Sequence, residues 1–234
     1  MEEITKFLID TIKQASKLIN CNIEVYKKDD QGDLVTCFDY EIEKFITKEL
    51  NAHYPSFKIL SEEFNSKAQV EDNYFVIDPI DGTINFANNL PLWGIQVACI
   101  KNNEVCSAVI YLPDLNEIYY ADSTGAYFNN NLINVQQNPN TKGLYFTQNK
   151  KLFSFFNNTR NCRYIGCASV TYAWFIKKCC SGVVLTCDNI KKNWDHTPGF
   201  YIAKQAGACM LNKNNLFVLG STPQNAEYLL SIIE

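Results

Sequence analysis

Ile4, Phe7, Leu8, Ile12, Ala15, Leu18 and Ile19 recur three and four residues apart, the spacing of one apolar face on an α-helix. The polar run Lys27-Lys28-Asp29-Asp30-Gln31-Gly32 separates this helix from a second one that carries Ile42, Phe45, Ile46 and Leu50. Phe57-Lys58-Ile59-Leu60 reads as a strand delivering Glu62 and Glu63. Strands then dominate over 74–78, 93–101, 104–112 and 117–121, followed by a hairpin through Ala126-Tyr127-Phe128 and Leu132-Ile133-Asn134-Val135. The turn-forming stretch Gln136-Gln137-Asn138-Pro139-Asn140 marks a joint between two halves, about 1–136 and 137–234. Beyond it, strands near 144–147, 162–165, 182–187 and 216–219 alternate with helices near 169–180, 195–206 and 223–232. This order predicts an α/β protein, of mixed α+β type, with mixed sheets.

The most informative segment is Asp78-Pro79-Ile80-Asp81-Gly82-Thr83-Ile84-Asn85-Phe86, directly after the apolar run Tyr74-Phe75-Val76-Ile77. Two carboxylates emerge where a buried strand ends, separated by a proline that bars regular pairing. Carboxylates that close repel unless a hard cation lies between them, and Asp and carbonyl oxygens are the ligands Mg²⁺ prefers. A helix is expected to start at Gly82-Thr83, turning its free N–H groups toward an anion held by the metal. The competing reading is a strand followed by two ordinary turn dipeptides.

Composition narrows the class. A chain of 234 residues with 47% hydrophobic content can bury a core, and a formal net charge of −4 offers no basic face for nucleic acid. No apolar stretch approaches the roughly 20 residues needed to span a bilayer. The start, Met1-Glu2-Glu3-Ile4-Thr5-Lys6, is acidic where a secretion signal is basic. The 10 cysteines form no C-x-x-C pair and lie mostly in apolar segments, which suits reduced thiols in a cytoplasmic protein.

The 78–86 run resembles the DPxDGTxNF signature of the inositol monophosphatase family. Asp33-Leu34-Val35-Thr36 with Asp39 resembles that family's DLVTxxD segment, and Ser61-Glu62-Glu63 stands where GEE is usual. Trp194-Asp195-His196-Thr197-Pro198-Gly199 is similar to WDxAAG, with Gln205-Ala206-Gly207-Ala208 in place of EAGG. The resemblance covers about residues 28 to 208 in the family's order. It implies a layered αβαβα sandwich of the sugar-phosphatase type, one domain over 1–234, a homodimer, and lithium-sensitive, Mg²⁺-dependent hydrolysis of a phosphate monoester.

By the same resemblance, Glu62, Asp78 and the Ile80 carbonyl hold one Mg²⁺, and Asp78, Asp81 and Asp195 hold a second. Many relatives add a third, weaker Mg²⁺ near Glu62. Thr83 and Asp39 orient and deprotonate the attacking water, which makes Asp39, Thr83 and Glu62 the catalytic candidates. The substrate is expected against Asp81, Gly82, Thr83, Ala168, Asp188 and Asp195, with Asp188 facing the leaving group.

Each position also has a structural reading. Asp39 could be a first-turn dipole partner, Asp195 a helix N-cap, and Asp188 a solvated loop acid. Glu63 is the alternative ligand to Glu62, and Lys28 is placed near the first metal's loop. Asp33 is read as structural, Cys167 as a small packing residue, and His53 and His196 receive no role. Ser61, Pro198 and Gln205 depart from the family pattern without touching the metal and water residues.

For substrate, Asn85-Phe86 resembles the inositol-phosphatase branch of the family more than its nucleotide branch, which implies inositol-1-phosphate first, whereas Pro91-Leu92-Trp93-Gly94 resembles the histidinol-phosphate branch. Other sugar or nucleotide phosphates come third. A reading of another class is a regulatory binding protein that kept the fold and lost turnover.

Overall fold

The computed structural model describes residues 1–19, 23–28, 33–140, 142–148, 152, 161–213 and 215–233. Residues 29–32 of the expected polar loop lie outside these. Two helices, α1 (Glu3–Ala15) and α2 (Cys37–His53), come first, with a small antiparallel hairpin of β1 (Val25–Lys27) and β2 (Leu34–Thr36) between them. The second helix starts five residues before its first expected core position because Thr36 and Asp39 form a capping box.

Among the described residues, one sheet contains β3 (Lys58–Ser61), β4 (Tyr74–Asp81), β5 (Gly94–Lys101), β6 (Glu104–Leu112), β7 (Glu117–Asp122), β8 (Gly125–Phe128) and β9 (Asn131–Leu132) in chain order. Its β3–β4 pair is parallel and the later pairs are antiparallel. A short helix, α3 (Thr83–Ala87), follows β4. The second sheet is built from β10 (Tyr145–Thr147), β11 (Cys162–Tyr164), β12 (Gly182–Thr186), β13 (Cys209–Lys213) and β14 (Leu216–Gly220). Its order is β11-β10-β12-β14-β13, parallel across the first three and antiparallel beyond. The turn-rich stretch 136–140 lies in the chain between β9 of the first sheet and β10 of the second.

Period-two burial sets the layers. On β4, Phe75 and Ile77 face a core made with Leu8 and Ile12 of α1 and Ile42, Ile46 and Leu50 of α2. Tyr74 and Val76 face the other way, into a core shared with α4 (Ala168–Ile176), α5 (Thr197–Gln205) and Val183 and Leu185 of β12. Val184 and Val218, on the opposite face of the second sheet, pack under α6 (Pro223–Ile233) through Ala226 and Leu229. The result is α1/α2, sheet, α4/α5, sheet, α6: the expected αβαβα layering. Each fully buried Ile or Leu contributes about 1.5–3 kcal/mol relative to exposure. Neither β1–β2 nor β13 was anticipated, since β1 is exposed throughout and β13 is a partly exposed edge strand with no alternating burial.

The middle layer depends on a close approach. A Cβ on Gly199 of α5 would lie 2.2 Å from the ring of Tyr172 on α4, which is fully buried. Gly199→Ala is therefore expected to lower unfolding free energy by about 1–3 kcal/mol, read as a fall in the urea midpoint at constant m. An unchanged midpoint would mean that the two helices separate freely at this crossing.

Candidate active site

The strand β4 does not stop at Asp78. It continues to Asp81, with Asp78 opposite Gln96 and Asp81 opposite Gly94 on β5 and a register shift between them. Pro79 thus interrupts pairing without ending the strand, and the irregularity brings both carboxylates to one side. The next residue, Gly82, has φ +85°, and a Cβ there would meet the Leu92 carbonyl and Cys167 Cβ at 3.0 Å. Both the left-handed backbone and the lack of space require glycine. From Gly82 the chain turns into α3, whose first turn has no side-chain cap.

Asp33, Glu62, Asp78, Asp81 and Asp195 all line one cavity of about 290 Å³, with Ile80, Gly82, Thr83 and Ala168 on its wall. Carboxylate oxygens of Asp78, Asp81 and Asp195 lie within 4.8 Å of one another. No lysine or arginine lines this cavity among the described residues. Burial pushes Asp78 well above the ordinary carboxylate range, and Glu62, Asp81 and Asp195 add like-charge repulsion. Burial, then Asp81 and Glu62, push Asp195 up to about 7. Asp78 Oδ1 is buried without a hydrogen-bond partner, while Oδ2 accepts from Gln96 Nε2 at 3.3 Å. An orphaned carboxylate oxygen beside two more carboxylates fits a hard divalent cation such as Mg²⁺.

Asp81 is held by the start of α4. It accepts Ala168 N–H at 3.1 Å, Ser169 N–H and the Cys167 thiol at 3.2 Å. Ala168 lines the cavity as expected, but its N–H serves Asp81. The Cys167 thiol is 2% exposed and raised by burial, which suits the packing role expected for it.

Asp39 is fully buried in the first turn of α2. Its Oδ2 accepts both Thr36 N–H at 2.7 Å and Thr36 Oγ1 at 2.6 Å, so Oδ1 points at Thr83. Burial raises Asp39 to about 7, opposed by the Thr36 bonds. The expected Thr83–Asp39 contact is long, 3.4 Å, and the Thr83 hydroxyl donates more closely to the Ile80 carbonyl at 2.9 Å. Catalytic hydrogen bonds often tighten only once substrate is bound.

The two acids after β3 separate. Glu62 lines the cavity; Glu63 does not, and its backbone N–H is bonded to Glu43. Lys28 bridges both, 2.5 Å from Glu62 and 2.7 Å from Glu63. Asp188 is not brought to the cavity: it is exposed after β12 and accepts from Asn215 at 3.0 Å. Asp195 is not the N-cap of α5 either. That position is His196, and Asn193 organises the turn by accepting His196 N–H at 3.0 Å.

Sequence reasoning passed over Gln96, Gln148, Tyr164 and the cavity position of Asp33. His196, left without a role, also lines the cavity, and burial lowers it to about 4 and keeps it neutral. Gln96 had a signal, as a lone amide in the apolar run Ile95–Ile100. Gln148 and Tyr164 follow or end the parallel strands β10 and β11, so the fold alone brings them in.

Comparison with known proteins gives a consistent answer. Residues 1–224 match the model described as "Inositol monophosphatase family". A Thermotoga maritima fructose-1,6-bisphosphatase/inositol-1-monophosphatase is 34% identical over 192 residues, 78% of this chain and 73% of that protein. A Thermotoga maritima IMPase structure superposes with TM-score 0.83 at 26% identity, covering 100% of both chains. An IMPase/NADP phosphatase solved with Mg²⁺ and phosphate shares the fold with TM-score 0.82 at 19% identity, covering 98% of this chain and 92% of that one.

Mutual repulsion at Asp78 predicts an inverted stability effect. In chelator, Asp78→Asn is expected to melt several degrees above wild type, at about 2–4 °C per kcal/mol for a chain of this size. A carboxyl raised by folding stabilises below its unfolded value and loses that contribution as pH rises through its folded value. The advantage of Asp78→Asn should therefore be larger at pH 7.5 than at pH 5.5, and Mg²⁺ should raise the melting temperature of wild type only. Calorimetry showing the variant less stable in chelator at both pH values would refute the repulsion.

Proposed function

The chain belongs to the inositol monophosphatase family and is a phosphoric monoester hydrolase, and we propose that it hydrolyses a small polyol monophosphate, inositol-1-phosphate first, with Mg²⁺ and without a covalent intermediate. The observation that carries this reading is the convergence of five carboxylates on one cavity beside Gly82, Thr83 and Ile84 at the start of α3. Glu62, Asp78 and the Ile80 carbonyl would hold one cation, and Asp78, Asp81 and Asp195 a second. Bound divalent cations supply positive charge that polarises phosphoryl oxygens and acidifies water.

The protein's own groups do the rest. Backbone N–H groups of Gly82 and Thr83 bind the phosphate oxygens. In this reading the Thr83 hydroxyl turns its single proton from the Ile80 carbonyl to Asp39 Oδ1, whose other oxygen is tied to Thr36, and accepts from water. Water is favoured over a side-chain nucleophile because Cys167, the thiol lining the cavity, is buried, raised and bonded to Asp81. In this reading the polyol meets Gln148, Tyr164 and neutral His196, which line the cavity, rather than Asp188, which does not.

Lithium inhibition, one domain over 1–234, a homodimer and a cytoplasmic setting belong to the same proposal, by family. Among the described residues, no helix is long and apolar enough to cross a membrane.

Phosphate release from a panel of inositol, histidinol, sugar and nucleotide monoesters should require Mg²⁺, cease in excess EDTA and be fastest for inositol-1-phosphate. Turnover undiminished by EDTA would overturn the metal assignment, and no turnover on any ester would favour a binding protein. Thr83→Ala should lower kcat by about 10²–10⁴-fold and leave KM within about threefold, because its hydroxyl acts on water in the transition state. A large rise in KM at constant kcat would make Thr83 a phosphate clamp instead.

A further inference from the structure

Glu43 is fully buried on α2, one turn after Asp39, and no lysine or arginine pairs with it among the described residues. A buried carboxylate is costly unless hydrogen bonds satisfy it. Its partners come from a single segment, the one that carries Glu62. Glu43 Oε1 accepts from Ser61 Oγ and from Phe64 N–H at 2.8 Å, and Oε2 accepts Glu63 N–H at 2.8 Å. Bonds on both flanks of Glu62 fix its backbone, so that its side chain enters the cavity while that of Glu63 stays outside it, with Lys28 bridging the two carboxylates.

Ser61 stands where the family motif has Gly, and here its hydroxyl is one of the donors to Glu43 and accepts from Asn65 Nδ2 at 3.3 Å. The departure thus adds a bond to the same clamp. Residues four apart on a helix share a face, so α2 sets both Asp39 and, through Glu43, Glu62 from one rigid element.

We propose that Glu43 is a positioning residue for cation binding: it touches neither cation nor substrate and holds the 61–64 segment so that Glu62 points into the cavity, with Ser61 reinforcing the hold. The inference rests on the cation-binding reading given under Proposed function.

The test is calorimetric titration of Mg²⁺ into chelator-stripped wild type, Glu43→Gln and Ser61→Gly, at a temperature where each is folded by circular dichroism. Glu43→Gln should bind Mg²⁺ about 10–100-fold more weakly, the usual effect of removing a group that orients a ligand. Its Mg²⁺ activation midpoint should rise in parallel. Ser61→Gly keeps the motif's own residue and should shift affinity by a smaller factor in the same direction, which preserves the test if Glu43→Gln does not fold. A purely structural Glu43 would lower the melting temperature and leave Mg²⁺ affinity unmoved, and that result would overturn the proposal. Wild type that binds no Mg²⁺ would instead overturn the cation reading beneath it, so the two failures are distinguishable.

Discussion

Three carboxylates with oxygens within 4.8 Å of one another, in a cavity without a lining lysine or arginine among the described residues, form the constraint to which the other features of the site respond. Like charges at that separation inside a protein raise each other's affinity for protons or demand a cation. Asp78 shows the demand most clearly, because one of its oxygens has no hydrogen-bond partner while the other reaches only Gln96 at 3.3 Å. Asp81, by contrast, is satisfied by the start of α4. The cluster therefore contains one carboxylate fixed by the protein and one that the protein leaves incomplete.

Rigid elements hold these groups against their repulsion. The strand β4, buried along its whole length between β3 and β5, delivers Asp78 and Asp81, and its neighbour β5 supplies Gln96. Across the site, α2 is anchored by Ile42, Ile46 and Leu50 and presents Asp39 and Glu43 from its N-terminal half. The turn at 193–197 brings Asp195 from the layer between the sheets. Because these pieces belong to different layers, cation binding would draw the layers together as well as build the site.

The sequence made the chemistry legible where one short segment holds both a ligand and its support. Asp78, Asp81, Gly82 and Thr83 lie within six residues, and the apolar run before them announces the strand. Glu62 and Glu63 could not be separated from sequence, because adjacent acids at a strand end look alike until backbone bonds to Glu43 orient them. Asp188 lies outside the cavity, exposed and bonded to Asn215, because distance from Asp195 in sequence does not carry over to space. Layer order was readable from alternating apolar positions, whereas β1 and β13 were not, since exposed or edge strands leave no such pattern.

Proton release on cation binding tests the central claim most directly. Burial and neighbouring carboxylates raise Asp78 and push Asp195 up to about 7, so a cation held by them at neutral pH is expected to displace protons. Titrating Mg²⁺ into chelator-stripped protein at pH 7, in two buffers of different ionisation enthalpy, reads that exchange from the difference in observed heat. The account predicts saturable binding with net proton release that diminishes at pH 8.5. Saturable binding with identical heats in both buffers, or no binding at all, would contradict it.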